Sequence, residues 1–423
     1  MPQAAAPPPA PRGAGSGPRF GLFVALIASL MAVTPLGIDS MLPALPNIGR
    51  TLGVANENHQ QWVIAIYVFG FGLAQIVYGP LSDRFGRKAV LVPSLILFAC
   101  LSVLAGFARS FPLLLAARLF QGIAGASSRV LTISIVRDCY SGRQMARVMS
   151  TAFMVFLMVP VLAPSIGQGI MMFGSWRLIF FFLAAFALLV ATTLGLVLRE
   201  TLHPDHRRSL SPRDIGQAIR RTLTERSALG YTIAIALVFG SLMGFINTVP
   251  QIFQDIFHAP NRFPLVFAGI GLSMAAAAFV NSRIVERLGT RKVSHSALLG
   301  MIACAATHSF VAFAGHETIV SFSLFQFATM FCFGLLGSNF GSMAMENVGE
   351  IAGTASSVQG FVSTCSGVVL GLVIGQSFNG TVLPLTLGYF GLGLAALLVV
   401  LITERGKLFQ AHHSAAATGV PPR

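Results

Sequence analysis

The chain has 423 residues, of which 54% are hydrophobic and 10% charged, and 28 Lys and Arg against 14 Asp and Glu give a net charge of +14. A soluble globule usually carries about 25% charged residues, so the composition excludes one and points to an integral membrane protein. Nucleic-acid binding is also excluded, because the cations are spread over separate loops without interleaved aromatics.

In chain order, residues 1–19 are rich in Pro, Ala and Gly and read as a disordered tail. The apolar run that follows has no cleavage pattern before Asp39, which argues against a signal peptide. Runs long enough to cross a hydrocarbon core about 30 Å thick fall at 20–45, 60–80, 89–107, 112–136, 146–170 and 177–198. After a charged linker at 199–227 come 228–250, 263–285, 294–314, 318–341, 352–377 and 381–402. The prediction is an all-α protein with 12 transmembrane helices in two six-helix bundles, 20–198 and 228–403, followed by a tail at 404–423. The span boundaries are least sharply marked around Pro250 to Pro264 and in the Gly-rich 334–341 stretch, where Ser338 and Asn339 interrupt the run. The linker carries Pro204 and Pro212, and 213–225 reads as an amphipathic helix able to lie on an anionic lipid surface.

Between the second and third spans lies Gly79-Pro80-Leu81-Ser82-Asp83-Arg84-Phe85-Gly86-Arg87-Lys88, a charged latch at a membrane face. Asp83 is expected to accept from Arg137 or from the helix start near Gly353 and Thr354. About half the chain length later, Glu286-Arg287-Leu288-Gly289-Thr290-Arg291-Lys292 repeats the pattern. Duplicated halves are the organisation expected of a transporter. Lys and Arg favour cytoplasmic loops. The opposite side holds Arg50, Arg109, Arg177 and Arg262, so both termini and the linker are predicted to be cytoplasmic.

Arg118 and Arg129 fall inside a span, and a carboxylate in a span, Asp39, costs about 2.5–3.5 kcal/mol on insertion scales unless it faces the protein interior. Burial and a nearby Arg act in opposite senses on a carboxyl group's hold on its proton, so Asp39 with Arg118 as counter-charge is a candidate proton-coupling pair. Arg118 can alternatively bond backbone carbonyls. Pro160, Pro164 and Gly167 allow the fifth span to bend and to pack closely against a partner in the opposite half. Tyr67, Gln75, Gln121, Arg129, Phe156, Asn247 and Gln251 are candidates to line a mostly apolar cavity. The five cysteines lack metal or disulfide spacing. His308 reads as a satisfied core group, and His412 and His413 as inert tail residues.

These motifs resemble the major facilitator superfamily, and within it the drug:proton antiporters of the bicyclomycin and chloramphenicol resistance (Bcr/CflA) group, over about residues 20–405. The latch, Gly79 to Lys88, matches the superfamily's loop signature. Asp39-Ser40-Met41-Leu42-Pro43-Ala44-Leu45-Pro46 matches the group's first-helix signature. Arg118-Leu119-Phe120-Gln121-Gly122, Val136-Arg137-Asp138 and the antiporter motif Ala163-Pro164-Ser165-Ile166-Gly167-Gln168 complete it, with Gln168 standing where a second glycine is usual. The resemblance implies a non-enzymatic, proton-coupled multidrug efflux transporter of the bacterial inner membrane. It would export lipophilic or cationic compounds as a monomer, with no cofactor or metal and the proton gradient as drive. Proton-coupled import or export of a small metabolite is the alternative.

Overall fold

The computed structural model describes residues 20–203 and 212–410. The tail expected at 1–19, the middle of the linker and residues 411–423, with His412 and His413, lie outside the described residues. The first half contains α1 (Phe20–Asp39), α2 (Leu45–Thr51), α3 (Trp62–Phe85), α4 (Arg87–Gly106), α5 (Phe111–Cys139), α6 (Gly142–Met171) and α7 (Arg177–Val197). After α8 (Pro212–Thr224) in the linker, the second half contains α9 (Arg226–Gln251), α10 (Phe263–Leu288), α11 (Thr290–Phe313), α12 (Ile319–Met345), α13 (Ala352–Gln376) and α14 (Leu383–Thr403). Among the described residues, 12 helical segments are long and apolar enough to cross a membrane, α1 counting together with α2.

Local chemistry sets the boundaries. Pro43 opens a 3₁₀ turn at Leu42–Ala44 and Pro46 lies in the first turn of α2, positions where no N–H is needed for a helical bond. The first-helix signature is therefore a break that stops α1 at Asp39. Gly86 (φ 106°) and Gly289 (φ 82°) turn the chain between α3 and α4 and between α10 and α11, in a conformation that other residues adopt only with strain. Thr318 and Ser321 cap α12 reciprocally.

Of the two regions where span boundaries are weakly marked, the first holds a break, at 257–259, and the second holds none. α12 runs unbroken through Ser338 and Asn339, because the Asn339 amide donates to Leu335 O and to Asn281 Oδ1 of α10, both at 2.8 Å. α9 accommodates Pro250 and continues into a π-turn at Ile252–Ile256.

The helix pairings repeat between halves: α3 on α5 matches α10 on α12, α1 on α6 matches α9 on α13, and α4 on α7 matches α11 on α14. Backbone contact at glycines draws these helices together. A side chain at Gly122 would lie 2.0 Å from Tyr67 O, and one at Gly70 would lie 2.2 Å from Leu119 O. With little hydrophobic driving force between helices in lipid, such close packing is what holds the bundle. Large apolar side chains such as Phe173, Leu196 and Phe313 stay exposed on the outside, as a lipid-facing surface requires. Across the halves, α3 packs on α13 and α6 on α10.

Candidate functional site: a latch, a buried arginine and a cavity between the halves

The latch is built around Arg87, whose side chain is 3% exposed at the start of α4. Its guanidinium pairs with Asp83 at 2.5 Å and Asp138 at 3.1 Å and donates to Ser82 Oγ at 2.6 Å. Glu200, just beyond α7, accepts from the backbone N–H groups of Arg87 (2.8 Å), Lys88 (3.1 Å) and Ala89 (3.4 Å), placing a carboxylate on the positive end of α4. Lys88 Nζ donates to Gly195 O at 2.6 Å, and Arg84 lies over the Phe85 ring. Arg137, one of the two partners expected for Asp83, is exposed and forms no ion pair among the described residues. Gly353 and Thr354 line the cavity instead of binding Asp83, whose carboxylate is already taken by the arginine one helical turn away. Gly79 faces Ser357 of the opposite half with room to spare, so Gly86 alone of the two latch glycines is required for its backbone.

The second half repeats the device with different carboxylates. Arg291 is tied to Glu346 and Glu404, both at 2.9 Å, and Glu404 also accepts from the Tyr231 hydroxyl at 2.5 Å. Glu286, which the sequence pattern matched to Asp83, is exposed, and the carboxylates on Arg291 come from the ends of α12 and α14. Glu200 and Glu404 were missed in the sequence. Their signal was present: an acid stands two residues beyond the last apolar run of each half.

Arg118 is fully buried. Nε donates to Val63 O (3.0 Å), Nη1 to Gln121 Oε1 (2.8 Å) and Nη2 to Gly37 O (2.9 Å), while Gln121 passes the network to Ser102 Oγ at 2.6 Å. Its guanidinium lies 4.2 Å from the centre of the Tyr67 ring. One side chain thus binds α1, α3, α4 and α5 together, which is the backbone-carbonyl reading of Arg118. Asp39 is 5% exposed at the end of α1 and has neither a hydrogen bond nor an ion pair among the described residues.

In α6, Pro160 and Pro164 lie within the helix. A side chain at Gly167 would come within 2.0 Å of Ser40 O, so this glycine seats α6 against the end of α1 in its own half instead of across the halves. Contact with the opposite half is made by Val161 against Gly271 and by Gln168, whose amide lies 3.4 Å from Asn261 Oδ1. Gln168 therefore spans the interface and leaves the tight packing to Gly167.

Between the halves lies a cavity of about 1020 Å³, bounded by α3, α5, α12 and α13 and open at the latch end, where Asp83, Arg137, Asp138, Ala218 and Glu350 form its mouth. Of the predicted cavity residues it is lined by Gln75 and Arg129. Tyr67 and Gln121 belong to the Arg118 network, Phe156 flanks Arg129 with its ring centre 5.8 Å from the guanidinium, and Asn247 is buried within α9 near Gly375. Gln251 lies in a polar clasp that shuts the far end. There Gln61 donates to Gln251 (2.5 Å) and Gly375 O (3.0 Å), Gln251 to Asn58 Oδ1 (3.0 Å), and Gln376 to Asn58 O (2.7 Å). The wall is mostly apolar, as expected, but aliphatic residues such as Ile76, Val130 and Ile133 make it so, and the aromatic candidates lie outside it.

His308, 0% exposed, stacks on Phe325 with its Nε2 3.2 Å from Glu317 Oε2, a contact whose geometry falls short of a hydrogen bond. It is thus a paired core group whose hydrogen-bonding capacity is unfilled.

The sequence profile described as the Major Facilitator Superfamily matches residues 25–372. A protein of Haemophilus influenzae named bicyclomycin resistance protein homolog is 27% identical over 90% of this chain and 94% of its own length. The multidrug resistance protein MdtL of Escherichia fergusonii is 26% identical over 91% of this chain and 96% of its own. Among solved structures, a bacterial homolog of the human lysosomal transporter Spinster superposes with a TM-score of 0.69 at 17% identity, covering 93% of this chain and 97% of that one.

Proposed function

This chain belongs to the Major Facilitator Superfamily, and from that premise we propose that it is a proton-coupled multidrug efflux transporter working by alternating access. The observation that carries the reading is the cavity between two duplicated halves, open at the latch end and closed by the Gln61–Gln251 clasp at the other. Such a vessel moves a solute by exchanging which end is closed. A solute held by both states can cross only if the two arrangements are close in free energy.

Several features support the finer assignment. The concentration of Lys and Arg at the latch end makes that end, both termini and α8 cytoplasmic, and the relatives named for bicyclomycin and multidrug resistance are bacterial, so the membrane is the bacterial inner membrane. Anionic lipid would attract α8 to the same face. Asp39, a buried carboxyl with no partner to fix its charge, is the proton carrier, and Arg118 holds its helix in place. The chain acts as a monomer, driven by the proton gradient with no cofactor.

The test is drug-driven proton flux in proteoliposomes across a panel of bicyclomycin-like, chloramphenicol-like and unrelated lipophilic compounds. Proton movement dependent on the drug, with extrusion from energised cells, is expected. Accumulation of substrate by energised cells would instead identify an importer.

A further inference from the structure

Arg129 is placed where an arginine needs a reason. It lies ten residues before the end of α5, about 15 Å into the bundle at 1.5 Å per residue, yet its side chain is exposed to the cavity. An ionised side chain at such depth is costly unless water or an opposite charge meets it. Three carboxylates line the cavity, and all are engaged: Asp83 and Asp138 on Arg87, and Glu350 on Arg221 at 2.9 Å. Arg129 and Arg137, by contrast, form no ion pair among the described residues. They lie two turns apart with Ile133 between them, on one face of α5.

The opposite wall also offers donors. The first turn of α13 has no side-chain cap and reaches the cavity at Gly353 and Thr354, and Ser357 and Gln359 follow along the same helix. The Nε2 of Gln359 is buried without a hydrogen-bond acceptor. Behind Arg129, the Phe156 ring lies 5.8 Å from its guanidinium, and Ile76, Val130 and Ile133 give the cavity apolar lining. A cationic solute would find no unengaged carboxylate among the lining residues.

We propose that this cavity is a site for amphipathic anions, compounds with an aromatic or lipophilic body and a carboxylate, sulfonate or phosphate group that pairs with Arg129. The proposal rests on the transport reading in taking the cavity as the substrate site, and it replaces cationic compounds with anionic ones as the favoured class. Arg137 and the start of α13 make the mouth attractive to such a solute. Arg129 then gives it a bidentate, charge-assisted hold in a site partly shielded from water.

The experiment is equilibrium dialysis of the full chain in nanodiscs, with empty nanodiscs as blank, against radiolabelled 1-naphthaleneacetate and its neutral isostere 1-naphthaleneacetamide. Tighter binding of the acetate by about tenfold is expected from one charge-assisted contact, with 1-naphthylmethylammonium failing to compete. Arg129→Gln should erase the preference while keeping the acetamide affinity, which also shows that the variant is folded, and Arg129→Lys should keep part of the preference. Equal binding of the two probes, no binding of either, an unchanged preference in Arg129→Gln, or stronger competition by the ammonium probe overturns the proposal. Should Arg129→Gln bind neither probe, Arg129→Lys decides, and equal binding there is the contrary result. Dialysis needs no gradient, so absent proton flux with a retained acetate preference would sink the proton-coupled reading and leave the anion site standing.

Discussion

The Nη2 of Arg118 donates to the carbonyl oxygen of Gly37 at 2.9 Å, two residues before Asp39, and the Asp39 carboxylate receives nothing from it. The arginine therefore fixes the backbone that carries the acid and leaves the acid's own charge free to change. Lysine in its place presents its donors from a single nitrogen and cannot serve Gly37, Val63 and Gln121 together. At about 1.5–3 kcal/mol for a hydrogen bond to a charged group, Arg118→Lys should lose roughly 2–4 kcal/mol, and Arg118→Ala more. A clearly lower melting temperature with residual transport is expected for Lys and loss of transport for Ala. Melting of the Lys variant at the wild-type temperature would show that the network contributes little.

Asp39→Asn, by contrast, removes no hydrogen bond and no ion pair seen among the described residues. Its melting temperature should equal that of the wild type while drug-driven proton flux disappears. Uphill export that survives the substitution, measured in proteoliposomes with an imposed proton gradient, would remove Asp39 from coupling.

Gly86 is held at φ 106°, and a methyl group there would meet Glu200 Oε2 at 2.5 Å. Gly86→Ala combines backbone strain with displacement of the carboxylate that caps α4, a cost of about 1–3 kcal/mol. Glu200→Gln keeps an acceptor and removes only the charge at the helix end, about 0.3–1 kcal/mol. Thermal melting should therefore rank Gly86→Ala as the more damaging. The reverse order would mean that the charge of Glu200, and not the turn, holds the latch.

Gln251 contributes two bonds to the far-end clasp, to Gln61 and Asn58. At about 1 kcal/mol for each neutral bond, Gln251→Ala should shift the balance between the two arrangements by roughly 2 kcal/mol, close to thirtyfold. A cysteine placed at Phe378, with the five native cysteines replaced, should then react faster with a membrane-impermeant thiol reagent from the far side. Unchanged labelling would place the closing contact elsewhere.

Much of this molecule is legible without coordinates, because its determinants are local. Twelve runs of apolar residues set twelve spans, since a helix must be about as long as the hydrocarbon is thick and must satisfy its own backbone. Gly86 and Gly289 announce turns that other residues resist, whereas the first span, read as continuous over 20–45, stops as α1 at Asp39 because Pro43 and Pro46 open new turns. What the sequence could not decide was partnership. Arg137 and the helix start near Gly353 and Thr354 both read as partners for Asp83, yet Arg87, one helical turn away, takes both Asp83 and Asp138. Gln251 and Asn247 read as cavity residues because polar groups in a span suggest a cavity. Only the approach of α9 to the start of α3 and the end of α13 turns Gln251 into part of a closure. The same limit hid the meaning of Arg129: its type and depth were plain, but its lack of a carboxylate partner depends on where Asp83, Asp138 and Glu350 find theirs. The sequence by itself determined spans, turns and the duplicated plan, which follow from length, hydrophobicity and backbone strain within a few residues. The tertiary structure decided which charges neutralise one another, because side chains scores of residues apart compete for the same partners and only the packed helices set the distances that settle the competition.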